Sequence, residues 1–355
     1  MKILTLVGTR PELIRLSLII KKLDKLLDHI LVFTNQNYTH NLSTIFFNDL
    51  NIRNPNYYFD NTGYSLAEFL SYGILEFENI LLKEKPDKIL VLGDTNSGLL
   101  SLLSRKMGIP VYHMEAGNRC YDNRVPEETN RRLIDHLSTV NMPYTENSKQ
   151  NLLSEGFFKN DVFKTGNPIY EVLDFYRADI WSRDILNKLG LKEKEFVLVT
   201  AHRAENVDDI DSLTNILSAL NTIAKQFKII FSVHPRTKDK LSQFNLKFSD
   251  NIIFSEPFGF FDFVKLEQSA KVVISDSGTV QEECCILGVP SITIRETTER
   301  QETIECGSAI LSGTKYENII KAFDAILKRN NKWKAPDDYL IKNVSDTVIN
   351  ILLGK

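Results

Sequence analysis

Acidic side chains stand at the carboxyl ends of two predicted strands in the first half of the chain. Asp94 follows the apolar run 88–93, and Glu115 ends the run 111–115. Glu127 comes directly after a proline at which a helix is predicted to begin. Because parallel strands end at one edge of a sheet, these three carboxylates could converge there and transfer protons. Any one of them alone could instead be a helix cap or an ion-pair partner, and both interpretations stay open.

Residues suited to an anion stand at other predicted strand ends. Arg10 lies in the turn after the run 3–7, and its guanidinium fork suits phosphate. A surface arginine in an ordinary turn is the alternative. Ser277 and Gly278 precede the helix predicted at 279–287. Free N–H groups at that helix start would bind an anion, but plain N-capping also explains the serine.

Three further side chains extend this second set. Glu283 lies one turn into the same helix, where a carboxylate could accept hydrogen bonds from a sugar diol. His202 and Arg300 follow two other predicted strands, and with Ser277 they suggest a pocket for a diphosphate and its nucleoside. The run Asp208-Asp209-Ile210-Asp211 resembles a metal-binding sequence but precedes a helical pattern. We interpret it as a helix start and expect no metal.

Short apolar runs alternate with helical patterns along the whole chain, which is typical of α/β proteins. Predicted strands form a first series at 3–7, 29–34, 88–93, 111–115, 139–143 and 162–165, and a second at 196–200, 228–234, 252–255, 271–275 and 291–295. Two such series predict two doubly wound, Rossmann-like domains with a cleft between them. We place these domains at 1–167 and 168–339, and we expect the helix within 340–355 to pack back on the first.

Composition narrows the function classes. The 355 residues carry a net charge of −3, so the chain has no broad basic surface for nucleic acid. It has neither a dinucleotide fingerprint nor a P-loop, and no cofactor is expected. No run is long and apolar enough for a membrane span or a signal peptide. Four cysteines without paired-ligand spacing fit reduced thiols, so we expect a cytoplasmic protein.

Taken together, the motifs resemble those of the bacterial non-hydrolysing UDP-N-acetylglucosamine 2-epimerases in order and spacing. They are Gly8-Thr9-Arg10-Pro11-Glu12, Gly93-Asp94-Thr95, Glu115-Ala116-Gly117, Pro126-Glu127-Glu128-Thr129-Asn130-Arg131, Asp276-Ser277-Gly278, Gln281-Glu282-Glu283 and Thr298-Glu299-Arg300. The resemblance implies the two-domain GT-B fold with the active site in the interdomain cleft. It also implies inversion at sugar C2 by elimination and re-addition of UDP through a glycal-like intermediate. Members of the family are commonly homodimers.

The resemblance also implies roles for individual residues. The acid/base carboxylates would be Asp94, Glu115 and Glu127, with Arg131 holding the Glu127 segment and contributing to substrate binding. The UDP-binding set would be Arg10, His202, Ser277, Gly278, Glu283 and Arg300, and His202 is also a catalytic candidate. Arg15 would also bind the substrate. It stands where the family usually has lysine, which keeps the charge but changes its geometry.

Two departures from the common pattern bear on the sugar. The common form has leucine and arginine after Glu-Ala-Gly, whereas this chain reads Asn118-Arg119-Cys120-Tyr121-Asp122. A stretch linked to effector binding in the common form is Asn35-Gln36-Asn37-Tyr38 here. These features are similar to the branch that makes UDP-N-acetyl-L-fucosamine for capsule or O-antigen synthesis. The alternatives are a UDP-N-acetylglucosamine 2-epimerase, a GT-B glycosyltransferase and a non-enzymatic nucleotide-sugar sensor.

Overall fold

The computed structural model describes residues 1–35, 46–60, 65–233, 235–241 and 248–354. These residues divide into two compact units, the first comprising 1–174 and 337–355 and the second 175–336. The sequence placed the division at 167 and 339, so the first unit takes more of the chain than expected at both junctions. None of the helices in the described ranges combines the length and hydropathy of a membrane span.

The first unit is built on a six-stranded parallel sheet in the order β3-β2-β1-β4-β5-β6. Its strands are β1 (Lys2–Val7), β2 (Asp28–Phe33), β3 (Tyr57–Tyr58), β4 (Lys88–Leu92), β5 (Val111–Met114) and β6 (Val140–Met142). Its helices are α1 (Arg10–Leu26), α2 (Leu66–Glu84), α3 (Ser101–Lys106), α4 (Pro126–Leu137), α5 (Glu146–Ser154), α6 (Ile169–Phe175) and α16 (Val344–Gly354). The central strands are buried on both faces, which explains their continuous apolar runs.

The second unit repeats this plan with the strand order β12-β11-β10-β7-β8-β9, again all parallel. Its strands are β7 (Phe196–Thr200), β8 (Lys228–Ser232), β9 (Ile252–Ser255), β10 (Val272–Ser275), β11 (Ser291–Thr293) and β12 (Ala309–Leu311). Its helices are α7 (Arg177–Trp181), α8 (Ile185–Lys188), α9 (Ala204–Val207), α10 (Ile210–Ile223), α11 (Pro235–Leu241), α12 (Phe260–Ser269), α13 (Gly278–Leu287), α14 (Gln301–Glu305) and α15 (Tyr316–Lys328). Both sheets match the predicted α/β class.

Three strand assignments differ from the sequence prediction. The expected strand at 162–165 is wrong, because this segment forms only an isolated bridge between Val162 and Asn141. Two short edge strands, β3 and β12, were missed. Each has only two or three residues, too few for an alternating pattern to stand out from the loops beside it.

The C-terminal helix α16 packs against α1 in the first unit. Lys22 of α1 lies 2.5 Å from the Asp346 carboxylate, and the Ser345 N–H donates to Glu171 at 2.8 Å. Near the end of α16, the Leu352 carbonyl accepts a hydrogen bond from Lys88 Nζ at 2.7 Å. The last helix therefore completes the first unit after the chain has passed through the second.

Candidate active site

Glu115 directly follows β5 and forms a buried ion pair with Arg15 of α1. Its backbone has φ 65°, a left-handed conformation that is uncommon for a residue other than glycine. Asn118 Nδ2 donates to Glu115 Oε1 at 3.2 Å, so both ends of the carboxylate are held. The guanidinium of Arg15 thus forms an ion pair with a candidate acid/base residue.

Asp94 follows β4, the strand next to β5, and is held by Arg131 of α4. Arg131 Nε and Nη2 lie 3.0 and 2.6 Å from Asp94 Oδ2, and Nη1 lies 3.0 Å from Glu128 Oε2. Its side chain is almost fully buried. The structure therefore places Arg131 as a residue that orients Asp94 and the start of α4, with its guanidinium between two carboxylates.

Glu127 is the second residue of α4 and is partly exposed. Helix α4 is tied to the strand end through Arg131 and through Asn130, whose Nδ2 donates to the Asp94 carbonyl at 3.0 Å. The first unit thus brings Asp94 and Glu115 to adjacent strand ends, and it anchors the helix that carries Glu127 to the first of them.

Arg10 begins α1, and its guanidinium lies 4.8 Å from the centre of the Phe46 ring. The preceding turn is held by a capping box in which Glu12 Oε2 accepts from the N–H groups of Gly8 and Thr9, at 2.5 and 3.0 Å. Glycine at position 8 allows two segments of the chain to approach closely. A Cβ at this position would collide with the Ser97 side chain.

Glu12 is a titratable residue that the sequence did not single out. Burial raises the pKa of its carboxyl from 4.5 to about 7, opposed by hydrogen bonds from Thr95, Gly8 and Thr9 and assisted by the charge of Asp94. A carboxyl beside a candidate acid/base residue thus titrates near neutral pH. In the sequence, Glu12 is marked only by its position in the capping box, which indicates a structural role.

The raised pKa of Glu12 predicts a pH-dependent stability. Between pH 4.5 and 7 the folded protein keeps a proton that the unfolded chain has lost, so stability falls as pH rises through this window. The total loss should be on the order of 3 kcal/mol. Glu12→Gln should remove this pH dependence. In urea unfolding, the unfolding free energy of the variant should therefore rise relative to that of the wild type between pH 5 and 8. The exposed Glu78→Gln is the control, and parallel curves for Glu12→Gln and wild type would contradict the assignment.

A buried network centred on Asp135 supports the Glu115 loop, and the sequence analysis missed it. The Asp135 carboxylate lies 2.8 Å from Arg119 Nη2 and 2.9 Å from His113 Nδ1, and it accepts from the Gly117 N–H at 3.2 Å. Asp135, His113 and Arg119 are all fully buried. The network fixes both sides of Glu115, because positions 113 and 117 flank it in the chain.

In the second unit, Asp276 holds the turn that carries His202. Its Oδ2 accepts from the N–H groups of His202 and Arg203, both at 2.9 Å, and from Asn206 Nδ2 at 3.0 Å. His202 Nδ1 lies 3.2 Å from Asp276 Oδ1, while more than a third of the histidine side chain is exposed. A buried carboxylate on Nδ1 orients the ring so that Nε2 can face a ligand.

Ser277 and Gly278 form the start of α13. Ser277 does not cap the helix with its side chain, whose Oγ instead lies 3.0 Å from Thr279 Oγ1. The N–H groups of the first turn therefore keep their capacity to bind an anion. A Cβ at Gly278 would lie 2.9 Å from Glu299 Oε1 and 3.5 Å from Arg300 Cζ, so only glycine allows this close approach.

Arg300 lies beneath that helix start in a buried ion-pair network. Its Nε is 2.6 Å from Glu282 Oε1 and its Nη1 is 3.2 Å from Glu299 Oε1. Glu299 also lies 3.0 Å from Arg295 Nη1. Two arginines and two carboxylates thus fix one another, so the guanidinium of Arg300 is rigidly oriented. The sequence supplied Arg300 as a candidate but gave no sign of its partners.

The other sequence-predicted features fall in three places. Glu283 is buried on α13, in the turn after the helix start. The run at 208–211 is a helix start, since Asp209 Oδ2 accepts from the Ser212 N–H at 3.0 Å. Within the described ranges, no group of three or more potential ligands is arranged to hold a metal. The departure at 35–38 falls, after Asn35, outside the described residues.

Comparisons with known proteins agree with this arrangement. The family described as UDP-N-acetylglucosamine 2-epimerase matches residues 21–353. A UDP-N-acetylglucosamine 2-epimerase of Methanocaldococcus jannaschii is 42% identical over 348 residues, covering 95% of each chain. A UDP-2,3-diacetamido-2,3-dideoxy-D-glucuronate 2-epimerase of Pseudomonas aeruginosa is 35% identical, covering 91% of each. The crystal structure of the M. jannaschii enzyme with UDP-GlcNAc and UDP superimposes with a TM-score of 0.95 at 40% identity, covering all of both chains. The two sheets accordingly have the GT-B arrangement of strands and helices.

Proposed function

The chain belongs to the UDP-N-acetylglucosamine 2-epimerase family, and from that premise we propose that it inverts C2 of a UDP-linked 2-acetamido sugar by elimination and re-addition of UDP. A base removes the C2 proton while the bond between C1 and the UDP oxygen breaks. The electron pair of that bond leaves with UDP, and a double bond forms between C1 and C2. Return of UDP to C1 and of a proton to the opposite face of C2 gives the epimer.

The proposal rests chiefly on the paired strand ends of the first unit, where Glu115 and Asp94 are each oriented by a buried arginine. Two positioned carboxylates can act as base and acid on opposite faces of one carbon, which is the arrangement that a two-base epimerisation uses. Glu127 is the third candidate. We assign proton transfer at the sugar to these carboxylates. We assign binding of the diphosphate to the start of α13 and Arg300 in the second unit.

For the sugar itself, we propose the L-configured branch that yields UDP-N-acetyl-L-fucosamine for capsule or O-antigen synthesis. Asn118, which stands where the common form has leucine, donates a hydrogen bond to Glu115 and accepts one from Ser148 Oγ at 2.8 Å. The departure thus contacts a candidate acid/base residue. The M. jannaschii relative is named for UDP-N-acetylglucosamine, whereas the P. aeruginosa relative is named for another UDP sugar. Membership of the family therefore does not by itself identify the substrate. A homodimer and a cytoplasmic location stay predictions.

Proton NMR in D2O with each UDP sugar supplied separately tests this function. The C2 proton of the accepted sugar should exchange for deuterium as the epimer forms, faster for the 2,6-dideoxy-L-talose derivative than for UDP-N-acetylglucosamine. Asn118→Leu should shift the ratio of kcat/KM values by roughly tenfold toward UDP-N-acetylglucosamine. No deuterium in either sugar would reject the epimerase assignment. Exchange with UDP-N-acetylglucosamine alone would reject only the branch.

A further inference from the structure

Glu128 on α4 is a buried carboxylate that joins two parts of the first unit. Its side chain is only 1% exposed. Oε2 accepts from the Cys120 N–H at 3.1 Å and lies 3.0 Å from Arg131 Nη1. Oε1 accepts from the Tyr121 N–H at 3.3 Å and from Arg132 Nε and Nη2 at 3.1 and 2.9 Å. The backbone after β5 and two arginines of α4 thus meet on one side chain.

These donors keep Glu128 ionised. Burial by itself disfavours the charged form, but hydrogen bonds from the Cys120 N–H and Arg132, with the charge of Arg131, lower the pKa of the carboxyl below its ordinary 4.5. Hydrogen bonds to an ionised acceptor are stronger than those to a neutral one. At neutral pH, Glu128 is therefore a strong acceptor for donors on both sides of it.

The segment from Glu115 to Tyr121 needs such an acceptor. Glu115, Gly117 and Tyr121 have φ of 65°, 79° and 55°, all in the left-handed region. Two of these residues are not glycine, and a left-handed backbone persists there only where its surroundings hold it. Asp135 accepts from the Gly117 N–H near the start of the segment, and Glu128 accepts from the Tyr121 N–H at its end. The path of the chain after Glu115 therefore depends on Glu128.

The other contact of Glu128 Oε2 leads to Asp94. Arg131 lies between the two carboxylates, with Nη2 2.6 Å from Asp94 Oδ2 and Nη1 3.0 Å from Glu128 Oε2. Asp94 and Glu115 follow adjacent strands. Glu128 is thus bonded to the guanidinium that orients one of them and to the segment that carries the other.

We propose that Glu128 is a positioning residue for the two proton transfers: its carboxylate fixes both the backbone that carries Glu115 and the guanidinium that orients Asp94, and so keeps these two groups at a fixed separation. The inference rests on the proposed function, in which both groups act on one carbon. Each transfer needs its carboxylate within hydrogen-bond reach of C2. If one is displaced after elimination, proton return slows, and UDP and the glycal-like intermediate leave before they recombine.

The partition between epimer and released UDP tests this role, measured by proton and phosphorus NMR with the UDP sugar that the wild type epimerises. Glu128→Ala should lower kcat for epimer formation roughly 10²-fold and raise the ratio of released UDP to epimer about tenfold. KM should stay within about threefold, because the lost interaction acts on the chemical step. Wild-type kcat, or a lower kcat with an unchanged ratio, would overturn the proposal.

Two further variants sharpen the comparison. Glutamine has one acceptor oxygen and sets an NH2 group against N–H donors, so Glu128→Gln should change kcat and the ratio in the same direction by smaller factors. This variant decides the matter if the alanine variant does not fold, and wild-type values in it would overturn the proposal. Arg132→Gln, which removes only a partner of Oε1 on the exposed side, should keep both quantities near wild type.

The reactivity of Cys120 gives a readout that does not depend on catalysis. Its thiol is buried and donates to Glu128 Oε2 at 3.3 Å. In Glu128→Ala, N-ethylmaleimide should alkylate Cys120 roughly tenfold faster, as peptide mass spectrometry measures, while Cys306 in the second unit reacts at its wild-type rate. Unchanged protection of Cys120 would overturn the proposal. Folded wild-type protein that epimerises neither UDP sugar would instead reject the proposed function.

Discussion

Glu115→Gln should lower kcat by about 10²- to 10⁴-fold and slow exchange of the C2 proton by a similar factor, while UDP affinity stays within about twofold of wild type. Glutamine keeps the size of the side chain and an acceptor for Asn118, but it cannot take a proton from carbon. The diphosphate is assigned to the second unit, whose residues the change does not touch. Steady-state kinetics, NMR exchange in D2O and calorimetry with UDP measure the three quantities.

Loss of activity could also come from the partner charge, because Arg15 is buried and would lose its carboxylate. The double variant Arg15→Met/Glu115→Gln removes both charges and should recover the unfolding free energy that the single variant loses. It should stay inactive. A Glu115→Gln enzyme that still exchanges the C2 proton near the wild-type rate would assign the acid/base work to Asp94 and Glu127 instead.

Asp135→Ala should destabilise the first unit by about 3–5 kcal/mol, the largest stability effect we expect in this chain. The change leaves Arg119 and His113 fully buried without their shared carboxylate, and it removes an acceptor for the Gly117 N–H. Arg119 keeps Glu155, whose Oε2 lies 2.6 Å away, so the guanidinium is not left entirely unpaired. Asp135→Asn keeps the shape and one acceptor and should cost less.

Two optical signals distinguish a loss of stability in the first unit from one in the second. Both tryptophans, Trp181 and Trp333, lie in the second unit, so their fluorescence reports its unfolding, while circular dichroism reports both units. In urea, Asp135→Ala should move the circular dichroism transition to lower concentration and leave a tryptophan transition near that of wild type. The exposed Asp60→Ala is the matched control. An Asp135→Ala protein with wild-type unfolding would show that the network carries little stability.

Much of the candidate site could be predicted because its signals are local. Asp94 and Glu115 stand just after neighbouring strands of the first sheet. Ser277 and Gly278 stand just after a strand of the second sheet. The carboxyl ends of parallel strands bring such residues to one edge of each sheet. The resemblance implied that Arg131 holds the Glu127 segment, and its guanidinium lies on the carboxylates of Asp94 and Glu128.

Residues that act by supporting others were missed or given other roles. Asp135 lies inside a helix, where an acidic residue ordinarily indicates a solvated face. Glu12 was seen only as part of a turn motif. Nothing in the neighbouring sequence marks these carboxyls as buried, because burial depends on which other element packs over them.

The α/β class, the two sheets and the kinds of residue at their ends follow from the sequence, since strand periodicity, turn chemistry and helix starts depend on residues a few positions apart. Which charged side chains form ion pairs depends on how the elements pack. Arg15 and Glu115 are 100 positions apart and pair because α1 packs where β5 ends. A charge–charge contact needs two side chains within about 4 Å, and that distance is set by the packing of whole helices and strands.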